Sequence, residues 1–276
     1  MFIRRPIVIA NWKMNTSVEE GERLFERIQR DLVEIKNKVD VVICPPATHL
    51  DKFNPKSRFA PTGQEVQNEK FKVGLGCQNI HWEEKGAYTG EISILMVKDC
   101  CQYVIVGHSE RREYFRETDE IVNKKIKQVL KHKLIPILCI GEKLEQRKQN
   151  ETKKIVESQL KEGLNNIQYS ISNLPTGRQV FNLPIIAYEP VWAIGTGQTL
   201  DPLETNKTCK FIREVLTELY NEDVAHRIRI LYGGSVNSEN VAEFTSQGEI
   251  DGLLVGGASL DAEEFTRIVK SVIKSY

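Results

Sequence analysis

A single carboxylate stands where a buried apolar run gives out. Ile185-Ile186-Ala187-Tyr188 is a short apolar run of the kind needed by a sheet covered on both faces, and Glu189 stands at its end. Pro190 cannot donate a ladder hydrogen bond, so the strand stops there. Val191, Trp192 and Ile194 follow, and they are costly to leave in water on a mobile loop. Gly195 and Gly197 permit a bend or a close approach to a ligand. The pattern reads as a base at a strand mouth followed by a hinged apolar flap. It reads also as a buried strand, a structural glutamate and an ordinary turn, because a carboxylate in a cleft marks a site only statistically.

The elements that must position Glu189 follow from periodicity. Strand-like runs occur at Ile7–Asn11, Val39–Cys44, Val73–Cys77, Tyr103–Gly107, Leu134–Ile140, Ile185–Tyr188, Ile228–Leu231 and Leu253–Val255. Helical patterns lie between them. One is opened by a capping box, Ser17 with Glu20, and carries Leu24, Phe25, Ile28, Leu32 and Ile35. Another carries Ile121, Val122, Ile126, Val129 and Leu130, and a long charged one runs from about Glu142 to Leu164. Asp201-Pro202 supplies an N-cap and a first-position proline for the helix with Phe211, Ile212, Val215 and Leu219. Phe265, Ile268, Val269, Val272 and Ile273 mark the last. Alternation points to a parallel sheet, and its count and length to a single (β/α)8 barrel spanning 1–276. A doubly wound open sheet is the alternative, but no G-x-G-x-x-G follows the first strand. The polar stretches near 53–72 and 165–184 read as surface insertions. They contain a near-repeat, Pro61-Thr62-Gly63-Gln64-Glu65-Val66 and Pro175-Thr176-Gly177-Arg178-Gln179-Val180.

A closed barrel places the groups after its strands on one rim. Those groups are Asn11 and Lys13, His108, Glu189, the turn Tyr232–Ser235 and the turn Gly256-Gly257. Singly, Lys13 reads as a solvated lysine, His108 as a helix-start residue and the glycines as connectors. Together they describe proton transfer on a phosphorylated carbonyl compound. A carboxylate, an imidazole and an ammonium without metal-ligand spacing suit acid–base work. Glycine turns at helix starts offer free N–H groups for phosphate.

Bulk composition agrees. Lysine plus arginine and aspartate plus glutamate both total 38 among 276 residues, which argues against nucleic acid or a membrane surface as partner. No apolar run reaches the roughly 18 residues of a membrane span, and the N-terminus lacks the apolar core of a secretion signal. Six cysteines are scattered without a C-x-x-C pair, as expected of reduced core thiols in a cytoplasm.

Five segments carry a closer likeness: Asn11–Asn15, Gly107–Arg112, Tyr188–Gly197, Tyr232–Ser235 and Gly256–Ser259. In these segments, in this order, the chain resembles the triosephosphate isomerase family over nearly its whole length. The resemblance implies interconversion of dihydroxyacetone phosphate and glyceraldehyde 3-phosphate in glycolysis and gluconeogenesis, with no cofactor and no metal. It implies Glu189 as the base, His108 as a neutral electrophile, Lys13 and Asn11 as donors to the enediolate, and Glu110 as a carboxylate close to Lys13. Backbone N–H groups of Gly195, Ser235, Gly256 and Gly257 would hold the phosphate. The loop Gly86–Glu91, with Thr89 near its tip, is similar to one that reaches into a second subunit, so a cytoplasmic homodimer is expected. An aldolase forming a Schiff base at Lys13, and a barrel that binds sugar phosphates without turnover, are the rival readings.

Overall fold

The computed structural model describes residues 4–35, 38–54, 73–169, 183–193 and 200–275. Eight parallel strands close into a barrel in chain order. They are β1 (Ile7–Asn11), β2 (Asp40–Cys44), β3 (Gly74–Cys77), β4 (Tyr103–Val106), β5 (Ile135–Ile140), β6 (Ile185–Tyr188), β7 (Arg229–Tyr232) and β8 (Gly252–Val255). β8 closes on β1, with Ile7 opposite Gly252 and Ala10 opposite Val255.

Both faces of every strand are buried, which is why the strands read as unbroken apolar runs rather than alternating ones. Inside the barrel lie Ile7, Ile9, Val42, Cys44, Ile105, Ile137, Cys139, Ile185, Ala187, Leu231 and Leu254. The other phase of each strand, such as Val8 and Ala10 or Ile186 and Tyr188, packs outward under the helices. The sequence-based choice of a single (β/α)8 barrel over an open sheet holds, since an open sheet would leave two unpaired edges.

Helix ends obey local chemistry. Glu20 N–H donates to Ser17 Oγ at 3.3 Å, and Ser17 N–H donates to the Glu20 carboxylate at 2.8 Å, completing the capping box. Asp201 Oδ1 accepts from the N–H groups of Leu203 and Glu204, both at 3.0 Å, ahead of the helix Pro202–Leu219. Two helical expectations need correction. The first helix ends at Asp31, and Ile35 lies in a separate 3-10 turn, Val33–Ile35. The charged stretch after β5 is two helices, Leu144–Lys148 and Thr152–Gly163, because Asn150 between them adopts φ 59°, a conformation no continuous right-handed helix accommodates. The near-repeat, the greater part of both expected insertions, and Gly195 lie outside the described residues. Among the described residues no helix is long and apolar enough to cross a membrane.

Candidate active site at the C-terminal rim

Strand periodicity delivers the first groups. Side chains alternate between the two faces, so the residue two beyond the last inward-facing one points along the barrel axis. After Ile9 that residue is Asn11, and after Ala187 it is Glu189. Both are buried, at 6% and 4% exposure, at the C-terminal mouth where barrels of this kind bind ligands.

Lys13 arrives by a tighter route. It adopts φ 54°, unusual for a residue with a Cβ, and its backbone is held on both sides. Its N–H donates to Asn11 Oδ1 at 3.1 Å, and its carbonyl accepts from Gln78 Nε2 at 2.8 Å. The ammonium pairs with Glu110 at 2.5 Å. The stem lies against the β8 turn, where a Cβ added to Gly256 would stand 3.6 Å from Lys13 Cε. A positive charge therefore borders both the imidazole region and the glycine turn.

His108 follows β4 and caps the helix Ser109–Tyr114. Its Nδ1 accepts the N–H of Glu110 at 3.2 Å, so that nitrogen carries no proton. The proton of the neutral ring is then on Nε2, which faces Glu189 Oε1 at 3.4 Å. Two influences on the ring disagree. Burial pushes its proton affinity down, but the Glu189 carboxylate, with Glu110 behind it, pushes it up, and the net direction is upward. For Glu189 burial pushes up, yet the imidazole beside it, with Cys139 and Lys13, holds the carboxyl below the usual range. The raised affinity of His108 belongs to the contact with Glu189. The Nδ1 hydrogen bond opposes protonation in any arrangement.

The second carboxylate oxygen of Glu189, Oε2, is buried without a hydrogen-bond partner among the described residues. Such an acceptor is costly to maintain and attracts a proton donor. Space for it exists because Gly233 lacks a side chain: a Cβ there would come within 2.8 Å of Glu189 Cγ.

These groups border one cavity of about 300 Å³. Asn11, Lys13, His108 and Glu189 line it together with the turns holding Ser235, Gly256 and Gly257. Glu110 acts on the cavity through Lys13. Of the expected site residues, only Gly195 cannot be placed. The described residues hold no cluster of His, Cys, Asp or Glu suited to a metal.

Sequence reasoning passed over Glu142. It is fully buried, and its carboxylate accepts from Tyr188 Oη at 3.1 Å and from Trp192 Nε1 at 3.3 Å. Arg147 approaches the same carboxylate at 3.5 Å and lies over the Trp192 ring at 5.2 Å. Glu142 thus anchors the chain on both sides of Glu189. Taking the groups just after each strand, as for His108, brings in Gly141 and Glu142 at the end of β5, although Glu142 continues the outward phase of Ile140 and meets Tyr188 and Trp192 instead of the cavity. Its place in a charged stretch disguised it as a helix-surface residue.

Comparison with known proteins points one way. The family model described as triosephosphate isomerase matches residues 6–272. A triosephosphate isomerase of Dictyoglomus turgidum is 43% identical over 270 residues, covering 98% of this chain and 100% of the relative. One from Clostridium botulinum is 47% identical over 268 residues, covering 97% and 99%.

Proposed function

The chain belongs to the triosephosphate isomerase family, and we propose that the rim around Glu189 performs that family's reaction with the side chains named above. It is an isomerase that interconverts dihydroxyacetone phosphate and glyceraldehyde 3-phosphate, a step of glycolysis and gluconeogenesis. The observation that carries the residue assignment is the Glu189 carboxylate facing His108 Nε2 at 3.4 Å, with the Lys13 ammonium on the same cavity.

The reaction needs a base beside a carbon and an acid beside the neighbouring oxygen. Glu189 removes a proton from the carbon next to the carbonyl. The Nε2–H of His108 gives its proton to the carbonyl oxygen as charge develops there, and the ring recovers a proton from the neighbouring hydroxyl, whose oxygen becomes the carbonyl of the product. The enediolate is stabilised by Lys13 and Asn11, and Glu189 returns the proton to the adjacent carbon. Substrate entering between Glu189 and His108 separates them. That removes the main influence raising the ring's proton affinity and leaves burial and the Nδ1 hydrogen bond, so the ring works as a neutral imidazole. The phosphate takes backbone N–H groups of Ser235, Gly256 and Gly257, with Gly195 as a further donor. Neither metal nor cofactor enters the scheme.

No one group suffices. A positioned base supplies about 10²–10⁴-fold, and an oxyanion donor about 3–4 kcal/mol. Enzyme accelerations span about 8–23 kcal/mol, so binding of the non-reacting phosphate must contribute through positioning and exclusion of water.

A coupled assay with glyceraldehyde 3-phosphate tests the proposal: turnover by the wild type, with loss in Glu189→Asp, is expected. Substrate bound without turnover would make the barrel a binding protein. An adduct at Lys13 trapped by borohydride would make it an aldolase. The chain 1–276 is read as one catalytic domain with surface insertions near 53–72 and 165–184, acting in the cytoplasm. A homodimer is supported by Met14, which is 97% exposed one residue beyond Lys13, and by Tyr88, 44% exposed in the loop that carries Thr89. Sedimentation at one subunit's mass, 31.6 kDa, would reject that assembly.

A further inference from the structure

The rim has a support that does not touch the cavity. In a parallel ladder, successive residues address alternate neighbours. Beyond the end of β5, Ile140 and Glu142 address the β6 side. The Ile140 carbonyl accepts the Glu189 N–H at 2.7 Å, and the Glu142 carbonyl accepts the Val191 N–H at 3.0 Å. Gly141, between them, addresses the β4 side. There the chain has already left the sheet, turning at Gly107 with φ 71° into the helix that His108 caps. Gly141 is buried, so its two backbone groups need partners that no strand offers.

Gln159 supplies both. From the outer helix Thr152–Gly163, its Oε1 accepts the Gly141 N–H at 2.8 Å and its Nε2 donates to the Gly141 carbonyl at 3.3 Å. One side chain thereby replaces a missing rung of the ladder. Gly141 in turn lies against the main chain of Glu189: a Cβ built on it would stand 1.8 Å from the Glu189 carbonyl oxygen. The backbone that carries the carboxylate rests directly on the residue that Gln159 grips.

We propose that Gln159 is a positioning residue for Glu189, acting through Gly141. It touches neither the cavity nor the reacting groups. Its effect is to hold the 140–142 segment, and with it the Glu189 main chain, at a fixed height above the barrel. The inference rests on Glu189 being the base. The phosphate turns follow β7 and β8, which do not pair with β5, and the β7 turn is tied to the strand before Glu189 by the Gly233 N–H, which donates to the Tyr188 carbonyl at 2.9 Å, so the loss should fall on kcat more than on KM.

The test is a double-mutant cycle with Q159M, which keeps side-chain length but cannot form the paired hydrogen bonds, and E189D. Small displacements of a reacting group cost up to about 10²-fold, so Q159M should lower kcat about 10-fold with KM unchanged within about twofold. In the E189D background the same substitution should lower kcat less, because the carboxylate is already out of place. Should Q159M fail to fold, Q159E, which keeps the oxygen that accepts from Gly141 N–H, takes its place in the cycle. Undiminished kcat in a folded Gln159 variant overturns the inference. So does a loss that multiplies in full with that of E189D, since Gln159 would then act elsewhere. Wild-type kcat in E189D alone is a different failure, and rejects Glu189 as the base.

Discussion

Shortening Glu189, the proposed base, by one methylene isolates its reach from its chemistry. Glu189→Asp withdraws the carboxylate by about 1.5 Å, one carbon–carbon bond. The present Oε1 to Nε2 separation is 3.4 Å, so the retracted group leaves a gap that substrate carbon and oxygen must bridge. A base works within about 2.6–3.2 Å of its proton, and an ångström of misplacement costs up to about 10²-fold. The expected fall in kcat is about 10²–10³-fold, or about 2.7–4 kcal/mol of activation free energy. KM should move less than kcat, because the turns proposed to take the phosphate would do so through backbone N–H groups that the substitution leaves in place. Stability should fall by only about 0.8 kcal/mol, the worth of one buried methylene, which in a chain of this size is about 1–2 °C in Tm. The assay couples dihydroxyacetone phosphate formation to NADH oxidation, with circular dichroism reporting the melt. A folded variant turning over within twofold of the wild type would refute the assignment. A variant that loses KM and kcat together would place Glu189 in binding instead.

Replacing Glu189 by Gln removes the charge that raises the proton affinity of His108 and leaves the burial that lowers it, so the imidazole pKa read by nitrogen NMR should move down; an unchanged or higher value contradicts the coupling. Gly252→Ala should prevent or severely weaken folding, since Gly252 has φ 150° and an added Cβ would lie 1.8 Å from the Ile7 carbonyl oxygen at the β8–β1 closure; a melt within a few degrees of the wild type would show the closure to be pliable. Acid should destabilise the protein. Glu189, Glu20, Glu84, Glu120 and Asp261 all hold carboxyl pKa values below their ordinary ones, so their stabilisation is complete above those ordinary values and is lost as pH falls through the folded values. His108, whose proton affinity is raised, adds stability that is complete below its ordinary value of 6.5 and is lost as pH rises above it, so melting scans should hold or rise from neutral pH down to about pH 5 and drop below it, and a level profile to pH 3 would contradict these shifts.

Strand ends were legible because they are local events. A run of apolar residues stops at Pro190 or at a glycine, and the polar group there falls at the rim; which phase of the strand faces the axis was not legible, because both phases are apolar. Capping at Ser17 and Asp201 was legible for the same reason: donor and acceptor lie within three residues of each other. Gly141 and Gln159 were not, because a lone glycine after a strand and a glutamine on a charged helix each have an ordinary explanation. The break at Asn150 was missed because apolar spacing continues on both sides of it.

By itself, the sequence determined which residues form strands, where each strand releases its chain, and which chemical groups are released there. Closure of the barrel decided what those groups meet. The contact of Lys13 with Glu110 joins residues 97 apart, and the anchoring of Trp192 by Glu142 joins residues 50 apart. The first pairing needs the strand ends to share one ring, and the second needs β6 to lie beside β5. Backbone periodicity carries no information about partners across that ring, whereas the depth of burial, the Glu189 oxygen left without a partner among the described residues and the opposed pulls on His108 all depend on it.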